Sequence, residues 1–431
     1  MGTNLKRILF ILIAILGLAS LAVVASQLLR DPGADEPAVT VADTGAQIEK
    51  GKYLARASNC MACHTARGGT EYAGGRDIDT PFGAIYAPNV TPDDATGIGS
   101  WTADDFWRAL HNGKSKDGSF LYPAFPYPNY TRMVRADSDA LYAYFRTITP
   151  VRQQNQQHRL AFPYNQRVLL AFWRALYFTP GEFQPQPNRT AEWNRGAYLV
   201  QGLGHCSACH STRTTLGGSL AHEGLGGGMM PGAGWYAPAL TSDPETGLGD
   251  WAVADVASLL KTGVSQRGAA VGPMAEVVSA SLQHVSDTDV TAMATYLKTL
   301  PKSDRMTVPN PAGGTGDPVV VLRRGARLYE QNCASCHGEN GKGAPPAYPS
   351  LAGNRPLALG DATNPIRIVL NGGYPPGTAG NPRPYGMPPF GAALSDSDIA
   401  AVVSYVRAGW GNGGKPVSPL DVSRLRGAPA D

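Results

Sequence analysis

The spacing of apolar and polar residues divides the chain into one long hydrophobic segment and a series of shorter amphipathic ones. The long segment runs from Ile8 to Leu29, and its only clearly polar members are two serines and one glutamine. It is long enough to cross a bilayer as a helix, and Lys6 and Arg7 favour keeping that end in the cytoplasm. We expect residues 1–30 to form an uncleaved membrane anchor; the alternative is a cleaved signal peptide, whose apolar region is usually shorter.

The amphipathic segments repeat along the chain, which predicts tandem domains. Three of them combine a glycine with a short amphipathic helix: GKYLARASN from Gly51, RGAYLVQGLGH from Arg195 and RGARLYEQN from Arg324. Three later ones share helical spacing: RADSDALYAYFRTITP, VSDTDVTAMATYLKTLP and LSDSDIAAVVSYVRAGW. We expect Ser or Asp to cap each of these final helices.

The first two repeats match over a longer stretch. APNVTPDDATGIGSWTADDFWRALHNGKS from Ala87 aligns with APALTSDPETGLGDWAVADVASLLKTGVS from Ala237, 150 residues later. Each copy joins a loop that ends in tryptophan to an amphipathic helix, and the helices are expected to stop at Gly113 and Gly263 because glycine is the usual residue after a helix end.

These patterns predict a mainly α chain with three domains and distinct connecting segments. The predicted limits are 1–30 for the anchor or signal segment, 31–45 for a linker, 46–150 for domain 1, 151–189 for an aromatic connecting segment, 190–302 for domain 2, 303–317 for a linker, 318–412 for domain 3 and 413–431 for a tail. We expect the connecting segment to form a core or interdomain helix; the alternative is a contact with a membrane surface or a partner.

All six cysteines occur in three copies of the motif CxxCH. The motifs comprise Cys60, Cys63 and His64, then Cys206, Cys209 and His210, then Cys333, Cys336 and His337. This motif is the attachment signature of c-type haem, in which both thiols bond to the porphyrin and the histidine binds the iron. The sequence therefore predicts three covalently bound haems.

Two other uses of paired cysteines fit the pattern less well. A structural zinc site needs four ligands in a closed tetrahedron, and three CxxCH units do not divide into such sets. A thioredoxin-like redox pair needs one CxxC motif and no attached histidine. Haem attachment outside the cytoplasmic membrane agrees with the apolar N-terminal segment, since both place the domains on the exported side.

The composition adds two constraints. With 51 glycines, 35 prolines and only 16% charged residues, the chain suits small helical domains in which long irregular loops surround a buried porphyrin. The formal net charge of +3 gives no indication of nucleic-acid binding.

Methionines are the candidates for the second axial ligand of each iron. A thioether opposite histidine stabilises reduced iron and raises its potential. Met387, in a proline-rich loop ahead of the last helix, and Met274, at the comparable place in the second repeat, are expected to be such ligands. In the first repeat the matching position is not methionine, so Met133 is the candidate; an open iron or a histidine ligand, with His111 and His158 the spare histidines there, is the alternative.

Other conspicuous residues are assigned structural roles. Met293 is expected in the core, and the spare histidines His205, His222 and His284 are expected at the surface or in structural contacts. The GLGGGMMPGAG run from Gly224 lacks the strand context and the spacing of a dinucleotide-binding loop, so we expect a flexible loop there. The sequence also lacks the hydrolase motifs GxSxG and HExxH.

At these motifs the chain resembles the three-haem cytochrome c subunits of bacterial membrane-bound dehydrogenases, which serve alcohol, aldehyde, gluconate and related sugar dehydrogenases. The resemblance covers roughly residues 46–412 and rests on the three CxxCH units, the TGIGSW and TGLGDW loops, LYPAFPY and GPMAEVV. It implies three tandem class I-like cytochrome c domains with long loops after an N-terminal membrane helix. It also implies that Met133, Met274 and Met387 are the distal ligands.

The same resemblance implies a function. A separate catalytic subunit, holding flavin, a quinone cofactor or molybdenum, would oxidise a substrate in the periplasm, and the haems would pass electrons to ubiquinone in the membrane. The anchor is also similar to that of versions paired with molybdenum-containing subunits that oxidise aldehydes or N-heterocycles. Two alternatives remain: a free-standing membrane-anchored carrier, and a multihaem peroxidase with one displaceable distal ligand.

Overall fold

The computed structural model of the chain describes residues 3–29, 44–219, 224–230, 232–244, 247–302 and 317–427. Helices dominate these ranges, and the few strands are short, so the prediction of a mainly α fold is confirmed. The chain divides into two compact units. Unit 1 comprises Met1–Leu54, Cys63–Gln184 and Thr214–Gly218, and unit 2 comprises Ala55–Ala62, Pro185–Arg213 and Ser219–Asp431.

Among the described residues up to Gln184, the chain forms seven helices and one small sheet. The helices are α1 (Thr3–Leu29), α2 (Gly45–Ala57), α3 (Cys60–His64), α4 (Ala103–Asn112), α5 (Tyr127–Tyr130), α6 (Arg135–Phe145) and α7 (Leu170–Tyr177), and a 3-10 turn (Arg167–Leu169) leads into the last of them. The sheet is antiparallel and joins β1 (Asp77–Thr80), β2 (Gly83–Tyr86) and β3 (Arg159–Leu160) in that order. Among the described residues, α1 is the one helix long and apolar enough to cross a membrane.

The described residues after Gln184 are mainly helical and form two short hairpins. The helices are α8 (Ala191–Tyr198), α9 (Ser207–His210), α10 (Val253–Thr262), α11 (Pro273–Ala280), α12 (Asp287–Lys298), α13 (Pro318–Asn332), α14 (Ala334–His337), α15 (Arg355–Ala358), α16 (Thr363–Asn371), α17 (Asp396–Ala408) and α18 (Pro419–Arg426). A π-helical turn (Leu199–Leu203) extends α8, and 3-10 turns cover Leu282–His284 and Gly409–Gly411. The hairpins pair β4 (Gly228–Met230) with β5 (Trp235–Ala237), and β6 (Val264–Ser265) with β7 (Gly268–Ala269).

One helix crossing occurs three times: the helix before each CxxCH motif packs against the final helix of the same repeat. At each crossing a glycine faces a backbone carbonyl so closely that a Cβ atom could not fit between them. A Cβ would lie 1.9 Å from the oxygen of Ala140 at Gly51, 1.9 Å from that of Ala292 at Gly196, and 2.2 Å from that of Ala401 at Gly325. The glycine that begins each repeat in the sequence is therefore the residue that lets the two helices approach.

The ends of four helices agree with the stop and cap residues predicted from the sequence. Helices α4 and α10 stop at Gly113 and Gly263 with left-handed φ values of 61° and 80°, as predicted. Ser286 and Ser395 accept hydrogen bonds from backbone N–H groups at the starts of α12 and α17, also as predicted.

The prediction that Ser or Asp caps the final helix of the first repeat is wrong. Val134 occupies that position and makes no side-chain cap, because α6 begins at Arg135, ahead of the expected acidic and serine residues. Arg135 forms ion pairs with Asp139 at 2.8 Å and Asp104 at 2.7 Å, which tie the first turn of α6 to itself and to α4.

The glycine-rich run from Gly224 is a second correction. Part of it, Gly228–Met230, forms β4 and pairs antiparallel with Trp235–Ala237. A flexible loop was expected from the glycines, but the backbone hydrogen bonds of the hairpin order this stretch.

Candidate functional site

Each CxxCH motif forms a short helical turn directly after the longer helix of its repeat. The turns are α3, α9 and α14, and all six cysteines are free thiols. Residues three apart on a helix lie on the same side. Helix α3 contains both cysteines of its motif, whereas Cys206 and Cys333 cap α9 and α14, and their carbonyls accept from the N–H groups of Cys209 and Cys336. Each turn therefore brings its two cysteines to one side, as thioether attachment to a porphyrin requires.

Each motif histidine bonds through Nδ1 to the carbonyl oxygen of a proline. The distances are 2.8 Å from His64 to Pro88, 2.6 Å from His210 to Pro238 and 3.0 Å from His337 to Pro349. Donation from Nδ1 places the proton on that nitrogen and leaves Nε2 with a free lone pair, which is the arrangement of a metal-binding imidazole. The donor set thus fits haem iron at all three motifs.

Burial supports the same protonation state. Desolvation lowers the pKa of His64, His210 and His337 below the ordinary value, and the proline carbonyls oppose this in part. The imidazoles are therefore neutral near pH 7, and only neutral imidazole can bind a metal.

The thiols of Cys206 and Cys333 do not have the environment of nucleophilic cysteines. Burial raises the pKa of Cys206 to about 12 and that of Cys333 to about 11. Reactive cysteines have lowered pKa values, so this environment differs from that of a disulfide oxidoreductase. In the part of the chain that the structure describes, no group of three or more His, Cys, Asp or Glu side chains is arranged to hold a metal ion.

In the sequence, each candidate methionine lies between two helices of its repeat. The first is a helix after the proline that bonds to the motif histidine (α4, α10 or α16), and the second is the final helix (α6, α12 or α17). Met133 is fully buried between α5 and α6, and its N–H donates to Tyr130 at 2.9 Å. Met274 is the second residue of α11 and is partly buried. Met387 is partly buried, and its backbone exchanges two hydrogen bonds with Gly373, at 2.8 Å and 3.0 Å. Their role as iron ligands stays a prediction.

His111 and His158 make structural contacts. His111 is buried and stacks on Trp107 with ring centres 4.3 Å apart. His158 accepts a hydrogen bond at Nδ1 from the Tyr86 N–H at 3.2 Å. His222 lies outside the described residues. Met293 is buried in α12, as expected for a core residue.

A contact within unit 2 joins the segments that precede the first two motifs. The imidazole of His205, the residue before Cys206, hydrogen bonds to the backbone of Ser58, two residues before Cys60. The hydroxyl of Ser281 reaches the carbonyl oxygen of Ala57 at 3.5 Å. The attachment segments of motifs one and two are therefore neighbours.

A second set of contacts within unit 2 joins residues of the second and third repeats. Asn364 bonds to both backbone groups of Tyr236, at 3.0 Å and 2.7 Å. Arg367 lies 5.0 Å from the ring centre of Trp235. Buried Arg355 donates to the carbonyl of Ala239, which follows the proline that holds His210.

Sequence reasoning missed the proline carbonyls and the arginines. For two of the prolines a signal was present, since Pro88 and Pro238 occupy the same place in the aligned APNV and APAL stretches. Arg355 carries no such signal, because its contact depends on the folding of one repeat against another.

Helical CxxCH turns whose histidines are neutral and bonded to a proline carbonyl define a protein that binds haem covalently. The cytochrome c family model matches residues 48–149, 194–301 and 322–410. The chain belongs to the cytochrome c family. It is 41% identical over 401 residues to the gluconate 2-dehydrogenase cytochrome c subunit of Pantoea cypripedii, covering 88% of this chain and 90% of that protein. It is also 41% identical over 406 residues to the cytochrome c subunit of the alcohol dehydrogenase (quinone) of Gluconobacter oxydans, covering 89% and 83%.

A third relative matches over part of a longer protein. This relative is a nicotinate dehydrogenase subunit of Pseudomonas putida, 42% identical over 368 residues, which are 84% of this chain and 30% of that protein. The resemblance found in the sequence is thereby confirmed: the chain is a cytochrome c subunit of the membrane dehydrogenase type. It serves electron transfer and is distinct from the catalytic subunit.

Proposed function

We propose that the chain holds three covalently bound haems and relays electrons from a dehydrogenase catalytic subunit to ubiquinone in the membrane. The observation that carries the proposal is the threefold arrangement of a CxxCH turn with its histidine bonded to a proline carbonyl. Cys60 and Cys63, Cys206 and Cys209, and Cys333 and Cys336 would attach the haems. Bound haem supplies one-electron chemistry, and the protein supplies ligands, burial and spacing.

The axial ligands follow from this assignment. His64, His210 and His337 would bind the irons through Nε2, and the proline carbonyls would fix the plane of each imidazole. Met133, Met274 and Met387 would supply the opposite ligands, and thioether sulfur there raises the potential of the iron.

The contacts within unit 2 support a relay. The His205–Ser58 hydrogen bond holds the attachment segments of motifs one and two together. Asn364, Arg367 and Arg355 hold the third repeat against the second. Such contacts would shorten the distances between successive haems and fix their order.

Helix α1 indicates where in the cell the chain is located. An uncleaved α1 would anchor the chain with its haem domains on the periplasmic side, where haem is attached, and where ubiquinone in the membrane is accessible. The relatives are named for gluconate, alcohol (quinone) and nicotinate dehydrogenases. A catalytic subunit of the flavin, quinone-cofactor or molybdenum type is thus the expected electron donor.

The test is purification of the native complex from its own membranes in mild detergent. Intact mass should show three haems per chain, and a large subunit with a flavin, quinone or molybdenum cofactor should elute in equal amount. Substrate of that subunit should then reduce the haems and, through them, a soluble ubiquinone analogue. A chain that elutes alone, holds three haems and still reduces or oxidises quinone would instead support the free-standing carrier.

A variant makes the relay test specific. Replacing Cys206 and Cys209 by serine should remove one haem from the intact mass and stop quinone reduction, while substrate still reduces part of the remaining haem. Met293→Leu, which keeps the side-chain volume nearly constant in the core of the same repeat, should leave the haem content and quinone reduction unchanged. Unimpaired quinone reduction by the two-haem variant would contradict a relay that passes through the second haem.

A further inference from the structure

The last turns of α1 are fixed to the body of unit 1. Val24 packs against a buried cluster of Phe120, Leu170 and Ala171. The buried Lys114 side chain donates from Nζ to the carbonyl oxygen of Leu28 at 2.9 Å. This bond satisfies a carbonyl that the end of the helix leaves without an intrahelical partner.

These contacts set the depth of unit 1 relative to any membrane that α1 crosses. The apolar sequence of α1 continues to Leu29, and a helix rises about 1.5 Å per residue. Val24 therefore lies only about 7 Å before the end of the apolar span. The cluster that packs on Val24 would thus lie at the boundary between acyl chains and headgroups.

The same part of unit 1 exposes large apolar side chains. Phe162 is 80% exposed and Leu176 is 67% exposed, and Val168 and Leu169 are also exposed. Leu169, the residue before α7, and Leu176 within it are seven residues apart, which is about two helical turns, and both are exposed. Leu170 and Ala171 are buried in the cluster. We call residues 160–177 the interfacial segment.

The charge of this region complements an anionic lipid surface. The interfacial segment contains no Asp or Glu, and Arg167 within it and Arg159 directly before it are exposed, with Asp117 facing Arg167 from the loop after α4. The other arginine of the segment, Arg174, is buried. Arginines beside exposed apolar residues are typical of segments that lie in the headgroup region and attract anionic lipids.

We propose that the interfacial segment lies in the headgroup layer of the membrane and seats unit 1 directly on a surface that contains anionic phospholipid. The inference rests on the proposed role of α1 as an uncleaved anchor. Its consequence is that unit 1 is held at the depth of the bilayer surface, rather than carried at the end of a flexible tether.

The test uses the full chain in nanodiscs that contain phosphatidylglycerol and a phospholipid with a photoreactive group near the glycerol. After illumination, peptides are mapped by mass spectrometry. Labels on peptides of both α1 and the interfacial segment are the expected result. Labels on α1 alone would overturn the inference and leave the anchor intact, whereas a chain without labels on either would overturn the anchor as well.

Variants separate a lipid surface from a protein one. Phe162→Gln with Leu176→Gln, both at exposed positions, should reduce labelling of the interfacial segment at least threefold without changing that of α1. The matched control is Tyr374→Gln in unit 2, an aromatic residue that is 69% exposed. Unchanged labelling in the double variant would overturn the lipid assignment. Labelling of the segment in the isolated chain but not in the complex with the catalytic subunit would also overturn it, in favour of a protein partner.

The arginines predict a dependence on lipid charge. Replacing phosphatidylglycerol by phosphatidylcholine should lower labelling of the segment severalfold, and added salt should lower it in the anionic discs but not in the neutral ones. Equal labelling in both lipids at low salt would contradict the role assigned to the arginines.

Discussion

Gly196 faces the carbonyl oxygen of Ala292 with no room for a side chain, since a Cβ atom on Gly196 would lie 1.9 Å from that oxygen. Gly51 and Gly325 face Ala140 and Ala401 in the same way. The crossing of first and last helices therefore depends on glycine in every repeat, and it holds the segment that leads into each haem motif.

Gly196→Ala should destabilise the second repeat because α8 and α12 must move apart. The expected loss is about 1–3 kcal/mol or more, the usual cost of overpacking. Thermal unfolding of the haem-loaded chain, followed by the Soret band, measures it. Gly45→Ala in α2 is the control, since nothing lies within 4 Å of a Cβ there, and an equal loss in the control would contradict the steric argument.

Local sequence signals predicted the features that depend on a few neighbouring residues. The helix ends at Gly113 and Gly263 followed from glycine, whose left-handed conformation is needed there. The helix caps at Ser286 and Ser395 followed likewise. The cap of α6 did not, because Arg135 and its two ion pairs hold the helix start in place of a capping side chain.

The surroundings of the candidate site needed the three-dimensional structure. Any residue offers a backbone carbonyl, so the bond from His337 to Pro349 leaves little trace in the sequence. Arg355 contacts Ala239, 116 residues away in the chain, and no local pattern indicates such a contact. The motif residues themselves were predictable because covalent haem attachment fixes both their type and their spacing.

Met133→Ala should remove the distal ligand of one haem. If all three irons are bound by methionine, the methionine–iron charge-transfer band should fall by about one third, and one haem should become high spin. Absorption and electron paramagnetic resonance spectra measure both effects. Met293→Ala, which opens a cavity in the core of another repeat, is the matched control. An unchanged band in Met133→Ala would show that Met133 does not bind iron.

Arg355→Met should lower the potential of the second haem. The guanidinium is buried and lies 5.6 Å from the ring centre of Trp251. Burial lowers the pKa of His210, and the positive charge of Arg355 lowers it further. A nearby positive charge disfavours the more positive oxidised iron, so its removal should lower the potential by on the order of tens of millivolts.

Spectroelectrochemical titration measures that shift. Burial lowers the pKa of Arg355 to about 10, which still leaves it charged near pH 7. Arg267→Met removes a partly exposed arginine that pairs with Asp250 and is the control. Equal potentials in the wild type and Arg355→Met would exclude a role of this charge in setting the potential.

His158 should make the stability of unit 1 depend on pH. Burial, followed by the charge of Arg167, lowers the pKa of His158, and its Nδ1 accepts from the Tyr86 N–H only when unprotonated. Above about pH 6.5 both folded and unfolded chains are neutral at this residue and its contribution is complete. As the pH falls below that value, the unfolded chain binds the proton first, so stability decreases until the lowered folded pKa is passed.

Denaturant unfolding of His158→Gln at several pH values between about 5 and about 8 tests this. The variant should lose part of the decrease in stability on the acid side. Gln157→Ala, at the exposed neighbouring position, should retain the wild-type profile. A variant profile identical to that of the wild type would assign the acid sensitivity to other groups.

Lys114→Met should loosen the seat of α1 on unit 1. Methionine keeps a long apolar side chain but cannot donate to the Leu28 carbonyl, which lies 2.9 Å from Nζ in the native contact. Leaving that acceptor unsatisfied should cost about 1–3 kcal/mol, the usual penalty for a buried polar group. Hydrogen exchange of the full chain in nanodiscs should show faster exchange of the amides in the last turn of α1, with the haem spectrum unchanged. Lys52→Met, at an exposed position of α2, should exchange like the wild type, and slow exchange in both variants would mean that packing of Val24 on the Phe120 cluster is sufficient to hold α1.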